Sequence, residues 1–256
     1  MTQKQSQGKT SASKNTTLRH RSSRSTFKSQ KGLAVRFPVD AIFFISLPKA
    51  ALRRKKLIEY CRAINLTDKF GHEPVWVEAS DGNKVFHKVD NSLKKAHNRQ
   101  NLSLSEIGCF ASHRSIWRRV LEVGYDSVLI LEDDARFDID KANLLLDNWD
   151  KLPDFDFLHL GWQYYAGYGA QSIELVECID GLELWKGNHM WLTHAYIINQ
   201  EAAGVLWEHT HIQNNGLDAM TAWIQDHMES YGFNPSIAYQ ERFTSGVLRS
   251  QIHHTG

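Results

Sequence analysis

The sequence predicts an α/β fold: a mostly parallel, Rossmann-like central sheet flanked by helices, then a more mixed C-terminal half carrying a hairpin. Three observations predict it. Strand-length apolar runs at Ala41–Ile45, Val75–Ala79 and Ser127–Leu131 alternate with segments of helical period. The first and third runs lack polar alternation, which suits strands buried on both faces of a parallel sheet. The third runs straight into Glu132-Asp133-Asp134, and open α/β sheets hold their ligands at the C-terminal ends of such strands.

With 256 residues the chain can hold one sizeable domain or two small ones. Its net charge of +1 hides an asymmetry. Residues 1–39 carry nine Lys and Arg and no Asp or Glu, leaving 21 basic residues against all 29 acidic ones in the remainder. Residues 1–38 are rich in Ser, Thr, Gln, Lys and Arg and have too few large apolar groups to offset the entropy of ordering. They read as a disordered basic tail, with 39–256 as a single domain. Such a tail suits peripheral contact with an anionic membrane surface, or serves only as a solubilising leader; no specific nucleic acid is expected. Three separated cysteines without a CxxC pair argue against a disulfide scaffold or structural zinc site and for a reducing compartment. No apolar run reaches the roughly 18–20 residues of a membrane span, and no signal-peptide core opens the chain. The expected location is the cytoplasm, including the inner membrane face.

After the Ala41–Ile45 strand, a helix is expected from about Ala50 to Ile64, with Leu52, Leu57, Ile58 and Cys61 inward. Arg53, Arg54, Lys55 and Lys56 in its early turns read first as a solvated face and second as a phosphate contact. Ser80-Asp81-Gly82-Asn83 is a turn after the second strand, and residues 83–102 read as a loop. Ser103-Leu104-Ser105-Glu106 is a capping box. It opens a helix with Ile107, Phe110, Trp117, Val120 and Leu121 inward and Gly124 at its end. His113 lies near that stripe, the usual place of a hydrogen-bonded packing histidine.

Beyond the acidic triplet, a helix is expected over Lys141–Trp149 and a strand over Phe155–Leu160. The segment Gly161–Gly169 interleaves aromatics with glycines, suiting either stacking on sugar rings or a satellite cluster. Ile173–Ile179 and Leu182–Trp185 around Asp180-Gly181 predict a hairpin with a type I′ turn. A strand over His189–Ile198, helices over Gln200–Glu208 and Leu217–Tyr231, and a strand over Ser236–Gln240 complete the reading. Asp218 falls in the first turn of the last helix, where the dipole favours it.

Clustered carboxylates repel one another unless a cation sits among them, and a strand-end cluster suits Mg²⁺ or Mn²⁺ shared with substrate phosphates. No GxxxxGK[ST] occurs and no GxGxxG follows a strand, which argues against the P-loop and dinucleotide classes. Metal-assisted chemistry on a phosphorylated substrate remains, as a sugar-nucleotide transferase or a phosphohydrolase; a non-catalytic sugar-nucleotide or glycan-binding module is the third reading.

Several stretches, in order, resemble glycosyltransferase family 25, the lipooligosaccharide and collagen galactosyltransferase group. They are Ile45-Ser46-Leu47 with Arg53-Arg54, Ala79-Ser80-Asp81-Gly82, and Leu102–Cys109 with Ser112-His113 and Ile116-Trp117. Leu129–Ala135 and His194–Ile198 complete the set. Ser46 stands where the family usually has Asn, and Ser245-Gly246-Val247 where it has Ser-Asp-Ile. The resemblance implies a GT-A-like fold whose C-terminal half takes the acceptor. It also implies inverting transfer of a hexose, typically galactose, from a UDP-sugar to a glycan or glycolipid hydroxyl. Glu132 and Asp134 would then hold Mn²⁺ or Mg²⁺, and extended-chain alternation would turn Asp133 away from the metal. Ser46, Leu47, Arg54, Ala79, Asp81, Gly82, His113 and Asp133 would lie along the nucleotide. The general base is expected at Asp218 first and His194 second.

Overall fold

The computed structural model of the protein describes residues 39–85, 102–163 and 173–241, all within one unit. The basic tail, most of the 83–102 loop, the aromatic segment from 164 on and Ser245-Gly246-Val247 lie outside the described residues.

Two strands and the helices between them set the frame. Strand β1 (Ala41–Ser46) leads into helix α1 (Ala51–Ala63), a short α2 (Leu66–Phe70) and strand β2 (Pro74–Glu78). A single turn, α3 (Gly82–Val85), and the long α4 (Leu104–Val123) precede β3 (Ser127–Glu132). Both β2 and β3 pair parallel with β1, on opposite sides of it. Winding therefore reverses at β1, which makes its C-terminal end the switch point where such sheets open a ligand crevice.

The second half adds β4 (Ala135–Phe137), α5 (Ile139–Asp147), β5 (Phe157–His159), β6 (Ile173–Ile179) and β7 (Leu182–Gly187). Then come β8 (Ala195–Asn199), α6 (Gln200–His209), α7 (Leu217–Ile224), β9 (Ser230–Asn234) and β10 (Ala238–Gln240). The main sheet has eight strands in the order β2-β1-β3-β8-β5-β9-β7-β6, and β10 pairs with β4 in a separate ribbon. The α/β class holds, but the sheet is mixed: β8 runs antiparallel to both β3 and β5, and β7 antiparallel to β9 and β6.

Alternation explains why the central strands are apolar throughout. Ile42, Phe44, Leu129, Leu131 and Ile197 face one core, which also takes Leu57 and Cys61 of α1. Phe43, Ile45, Val128, Ile130, Tyr196 and Ile198 face the other, against Trp117 and Val120 of α4 and Ala202 and Leu206 of α6. The capping box forms as expected, Ser103 Oγ accepting from the Glu106 amide at 3.2 Å and Glu106 accepting from the Ser103 amide at 2.7 Å. Asp180 and Gly181 have φ of 47° and 95°, the two positive values a type I′ turn requires.

Four expectations fail locally. Leu52 is exposed. The helix after the triplet starts at Ile139, because Asp138 caps it, and it stops at Asp147. His189–His194 is irregular rather than strand, with positive φ at His189 and Leu192. The helix expected to reach Tyr231 ends at Ile224 and passes through a 3₁₀ turn into β9. Ile224, Met228 and Tyr231 keep a helical spacing in sequence, but pairing of β9 between β5 and β7 overrides it.

Candidate active site

The cleft at the switch point is built from four segments. Ser46 and Leu47 leave β1; Ala79, Ser80, Asp81 and Gly82 leave β2; Ser105, Cys109, Ser112 and His113 come from α4; Glu132, Asp133 and Asp134 end β3. The second and third approach unusually closely. A Cβ on Gly82 would fall 1.7 Å from the Leu104 carbonyl oxygen, and one on Gly108 would fall 2.4 Å from that of Ser80. Ser112 closes this contact, its Oγ accepting from the Ser80 amide at 2.8 Å and donating to Gly108 O at 2.6 Å. The two glycines thus let α4 lie against the loop after β2.

The acidic triplet does not alternate as an extended chain would. β3 ends at Glu132, and Asp133-Asp134 form a turn. Asp133 therefore does not point away: it accepts from Ser46 Oγ at 2.8 Å and pairs with the guanidinium of Arg53. Asp134 meets the same guanidinium at 3.2 Å. Glu132 turns the other way, its Oε1 lying 3.4 Å from His113 Nε2 and accepting from Thr193 Oγ1 at 3.2 Å. Arg136, two residues on, pairs with Glu241 at 2.5 Å.

Arg53 is the residue that the sequence reading passed over in favour of Arg54. It is buried at 8% exposure and sits at the head of the stripe Arg53, Leu57, Cys61 that forms the inner face of α1. That i, i+4, i+8 spacing is the signal that separates it from its three basic neighbours. Arg54 is turned elsewhere. It donates to Leu47 O at 2.6 Å and Pro48 O at 3.2 Å and lies 4.1 Å over the Trp76 ring, clamping the exit of β1 from outside the cleft.

Electrostatics differ sharply along the triplet. Burial, and then the charge of Glu132, push the Asp134 carboxyl up to about 7, with Arg53 opposing. Burial also raises Asp133, against Arg53 and Ser46. Burial would raise Glu132 as well, but His113, and after it His194 and Thr193, outweigh it and hold that carboxyl below its ordinary range. Neighbouring carboxylates in one buried site divide their protons in this manner. Asp134 Oδ1 is buried and has no hydrogen bond among the described residues. Three carboxylates beside the guanidinium of Arg53 and, less directly, that of Arg136, with an orphaned oxygen, form a donor set that fits a hard divalent cation. Cys109, His113 and Glu132 also bring one ligand atom each within 4.8 Å of one another, a softer set.

The remaining expected residues divide. Asp81 lines the cleft, where its Oδ1 accepts from the amide and side chain of Asn83 at 3.1 and 3.2 Å; those bonds lower its pKa. Asp218, in the first turn of α7, is not in the cleft wall, but burial and then the charges of Glu132 and Glu106 help raise its carboxyl. His194 is 2% exposed. Its ring fills the space beside Gly161, where a Cβ would fall 2.2 Å from Nε2. The structure thus brings together Ser46, Leu47, Ala79, Asp81, Gly82, His113 and the triplet, sets Asp218 beyond the wall, and leaves Arg54 and His194 outside the cleft. Thr193 joins the site through Glu132, unannounced by the sequence; Cys109, Ser112 and Tyr196 stood in the stretches that carry the resemblance, with no site role expected of them.

Fold and cleft together define an α/β protein with an acidic cleft at the switch point of its sheet. The sequence model of glycosyltransferase family 25 (LPS biosynthesis protein) matches residues 39–221. The chain belongs to glycosyltransferase family 25. It is 28% identical over 224 residues to "Procollagen galactosyltransferase 2" of Homo sapiens, covering 82% of this chain and 33% of that protein. It is 28% identical over 174 residues both to a "Glycosyltransferase 25 family member" of Anopheles gambiae (63% and 27% covered) and to a "Probable inactive glycosyltransferase 25 family member 3" of Bos taurus (64% and 28%). The chain spans a third or less of the length of these relatives. A solved glycosyltransferase involved in glycosylation of the major capsid of PBCV-1 matches at 12% identity and a TM-score of 0.34, over 67% of this chain and 66% of that one. A197 from STIV matches at 14% identity and 0.37, over 84% and 99%. No helix among the described residues is long and apolar enough to cross a membrane.

Proposed function

We propose that this chain is an inverting hexosyltransferase that moves galactose from UDP-galactose to a hydroxyl of a glycan or glycolipid acceptor, with surface glycans such as lipooligosaccharide the leading class. The observation that carries the reading is the carboxylate pair Glu132 and Asp134 at the switch-point cleft, with Asp134 Oδ1 buried and unpaired. The description of the human relative as a galactosyltransferase supports the sugar, and the family's description supports the acceptor class.

Each residue then has a distinct task. Ser46, Leu47, Ala79, Asp81 and Gly82 form the wall that receives the nucleotide. Glu132 and Asp134 would hold Mn²⁺ or Mg²⁺, which when bound supplies Lewis-acid charge for the departing diphosphate. Asp133, tied by Ser46 and Arg53, keeps the turn in shape and places Arg53 where it can share the phosphate charge. Asp218, beyond the cleft wall, would take the proton of an acceptor bound on that side as its oxygen attacks the anomeric carbon and the bond to UDP breaks. A carboxyl whose pKa is raised by burial is a stronger base than an ordinary surface one.

A screen of UDP-sugars for UDP release, with glycan acceptors and with Mn²⁺ or EDTA, tests the proposal. Release that needs both acceptor and metal, greatest with UDP-galactose, supports it. Metal-dependent cleavage of a simple phosphodiester without any sugar would make the chain a phosphohydrolase. UDP-sugar binding without turnover under any condition would make it a binding module.

A further inference from the structure

Behind the cleft lies a buried polar chain that the mechanism above does not use. Trp117, His113 and Tyr196 are each fully buried. Trp117 Nε1 lies 3.0 Å from the Tyr196 hydroxyl, and that hydroxyl lies 2.8 Å from His113 Nδ1. His113 Nε2, at the far side of the ring, lies 3.4 Å from Glu132 Oε1, within ion-pair distance but not aligned as a hydrogen bond in this structure. The Tyr196 ring is fixed by stacking on Phe157 (centroids 4.8 Å apart, 11° between planes) and on His113 (5.8 Å, 15°), so its hydroxyl has little freedom to seek other partners.

The donors and acceptors along this chain have one consistent direction. An indole N–H only donates, so the Tyr196 oxygen must accept from Trp117. If the tyrosine proton is to have a partner, it goes to His113 Nδ1. The reverse arrangement, with Nδ1–H donating, would give the Tyr196 oxygen two incoming protons and strand its own in the core, which is unfavourable. Nδ1 is then an acceptor, and the ring proton sits on Nε2, facing Glu132.

We propose that Trp117 and Tyr196 fix His113 as its Nε2–H tautomer, and that His113 thereby acts as a positioning residue that pins Glu132 through Oε1 and leaves Oε2 for the ligand. Thr193 Oγ1 donates to the same Oε1 at 3.2 Å, so both protein contacts fall on one oxygen. The assignment also decides between the two donor sets. A nitrogen that carries the proton is no metal ligand, so Cys109, His113 and Glu132 do not hold an ion despite their spacing. The cation is left to the carboxylates. The tautomer assignment stands without the proposed function; the consequence for Glu132 rests on that reading.

Long-range ¹H–¹⁵N correlation spectra of the full chain, labelled at histidine nitrogens, test the tautomer directly, with His113→Gln identifying the His113 signals. The expected wild-type spectrum has an unprotonated-type Nδ1 and a protonated-type Nε2. Tyr196→Phe, which removes the donor to Nδ1, is expected to lose that fixed pattern. It should also weaken Mn²⁺ binding about tenfold, as loss of outer-sphere support does. A protonated Nδ1 with a bare Nε2 in the wild type would overturn the proposal, as would an unchanged His113 spectrum in Tyr196→Phe. Absence of UDP-sugar turnover alongside the expected spectrum would count against the proposed function and leave the tautomer assignment standing.

Discussion

At the scale of single residues, the cleft separates carboxylates that the sequence presents as equals. Asp133 is held by Ser46 and Arg53, while Asp134 Oδ1 has no hydrogen bond among the described residues; on the proposed reading Glu132 and Asp134 take the cation. Asp134→Ala is expected to reduce metal-dependent turnover by more than about 100-fold, beyond the range that outer-sphere changes produce. Asp138→Ala, four residues away, removes the helix cap given by Asp138 Oδ1 to the Lys141 amide; it should cost about 1 kcal/mol of stability and leave turnover near wild type. Equal effects in the two variants, read by steady-state rates and thermal melts, would return the triplet to an acidic turn. The two arginines offer a second comparison. Arg53→Met leaves Asp133 and Asp134 without their guanidinium, and loss of one partner of a buried ion pair costs about 3 kcal/mol or more. Added Mn²⁺ should recover part of it, because a ligand that binds only the folded state stabilises that state. Arg54→Met removes a half-exposed clamp over Trp76 and should cost about 1 kcal/mol. The triplet was legible in the sequence as charge after an apolar run. Its division of labour was not, because the turn at Asp133-Asp134 replaces the alternation an extended chain would have. Arg53 was hidden for a different reason: in a run of four cations, only the register of Leu57 and Cys61 tells which one points inward.

At the scale of elements, what could be read was what local chemistry dictates. The capping box, the Gly124 end of α4 and the Asp180-Gly181 turn depend on neighbours in sequence and appear as expected. The ends of α7 and β9 depend on strand partners, and there the helical spacing misled. The contact between α4 and the loop after β2 is also long-range, though its glycines were visible. Gly108→Ala would force a methyl against the Ser80 carbonyl, so α4 must shift or the loop must give. We expect a loss of about 1–3 kcal/mol in chemical denaturation, as overpacking commonly costs, together with weaker UDP binding because the nucleotide wall moves. A second element-level prediction concerns acid. His159 at the end of β5 is fully buried, with Nε2 2.9 Å from Gln225 Nε2, whose amide also bonds both backbone groups of Met190. Burial lowers its pKa to about 3. The unfolded chain takes up a proton below about 6.5 that the folded chain refuses. Its contribution to stability is therefore full above that pH and falls as pH drops from about 6.5 towards 3. In His159→Asn, the slope of stability against pH across this window should flatten by up to about 1.4 kcal/mol per unit.

At the scale of the whole molecule, the α/β class was legible because apolar strands and amphipathic helices alternate through the first half. Strand direction was not. Runs such as Ala195–Ile198 are apolar on both faces whether they pair parallel or antiparallel, so composition alone could not announce the mixed sheet. What the topology contributes to function is the reversal at β1. It sets the ends of β1, β2 and β3 and the start of α4 around one acidic cleft, and it brings Arg53 of α1 back over the triplet. On the proposed function, this cleft binds a nucleoside diphosphate together with a divalent cation held by Glu132 and Asp134. Calorimetric titration of UDP into the full chain, with Mn²⁺ and with EDTA, tests it most directly. Binding is expected to be at least about tenfold tighter with Mn²⁺, a gain that Asp134→Ala abolishes. Equal UDP affinity with and without Mn²⁺, or a gain that survives Asp134→Ala, would contradict it.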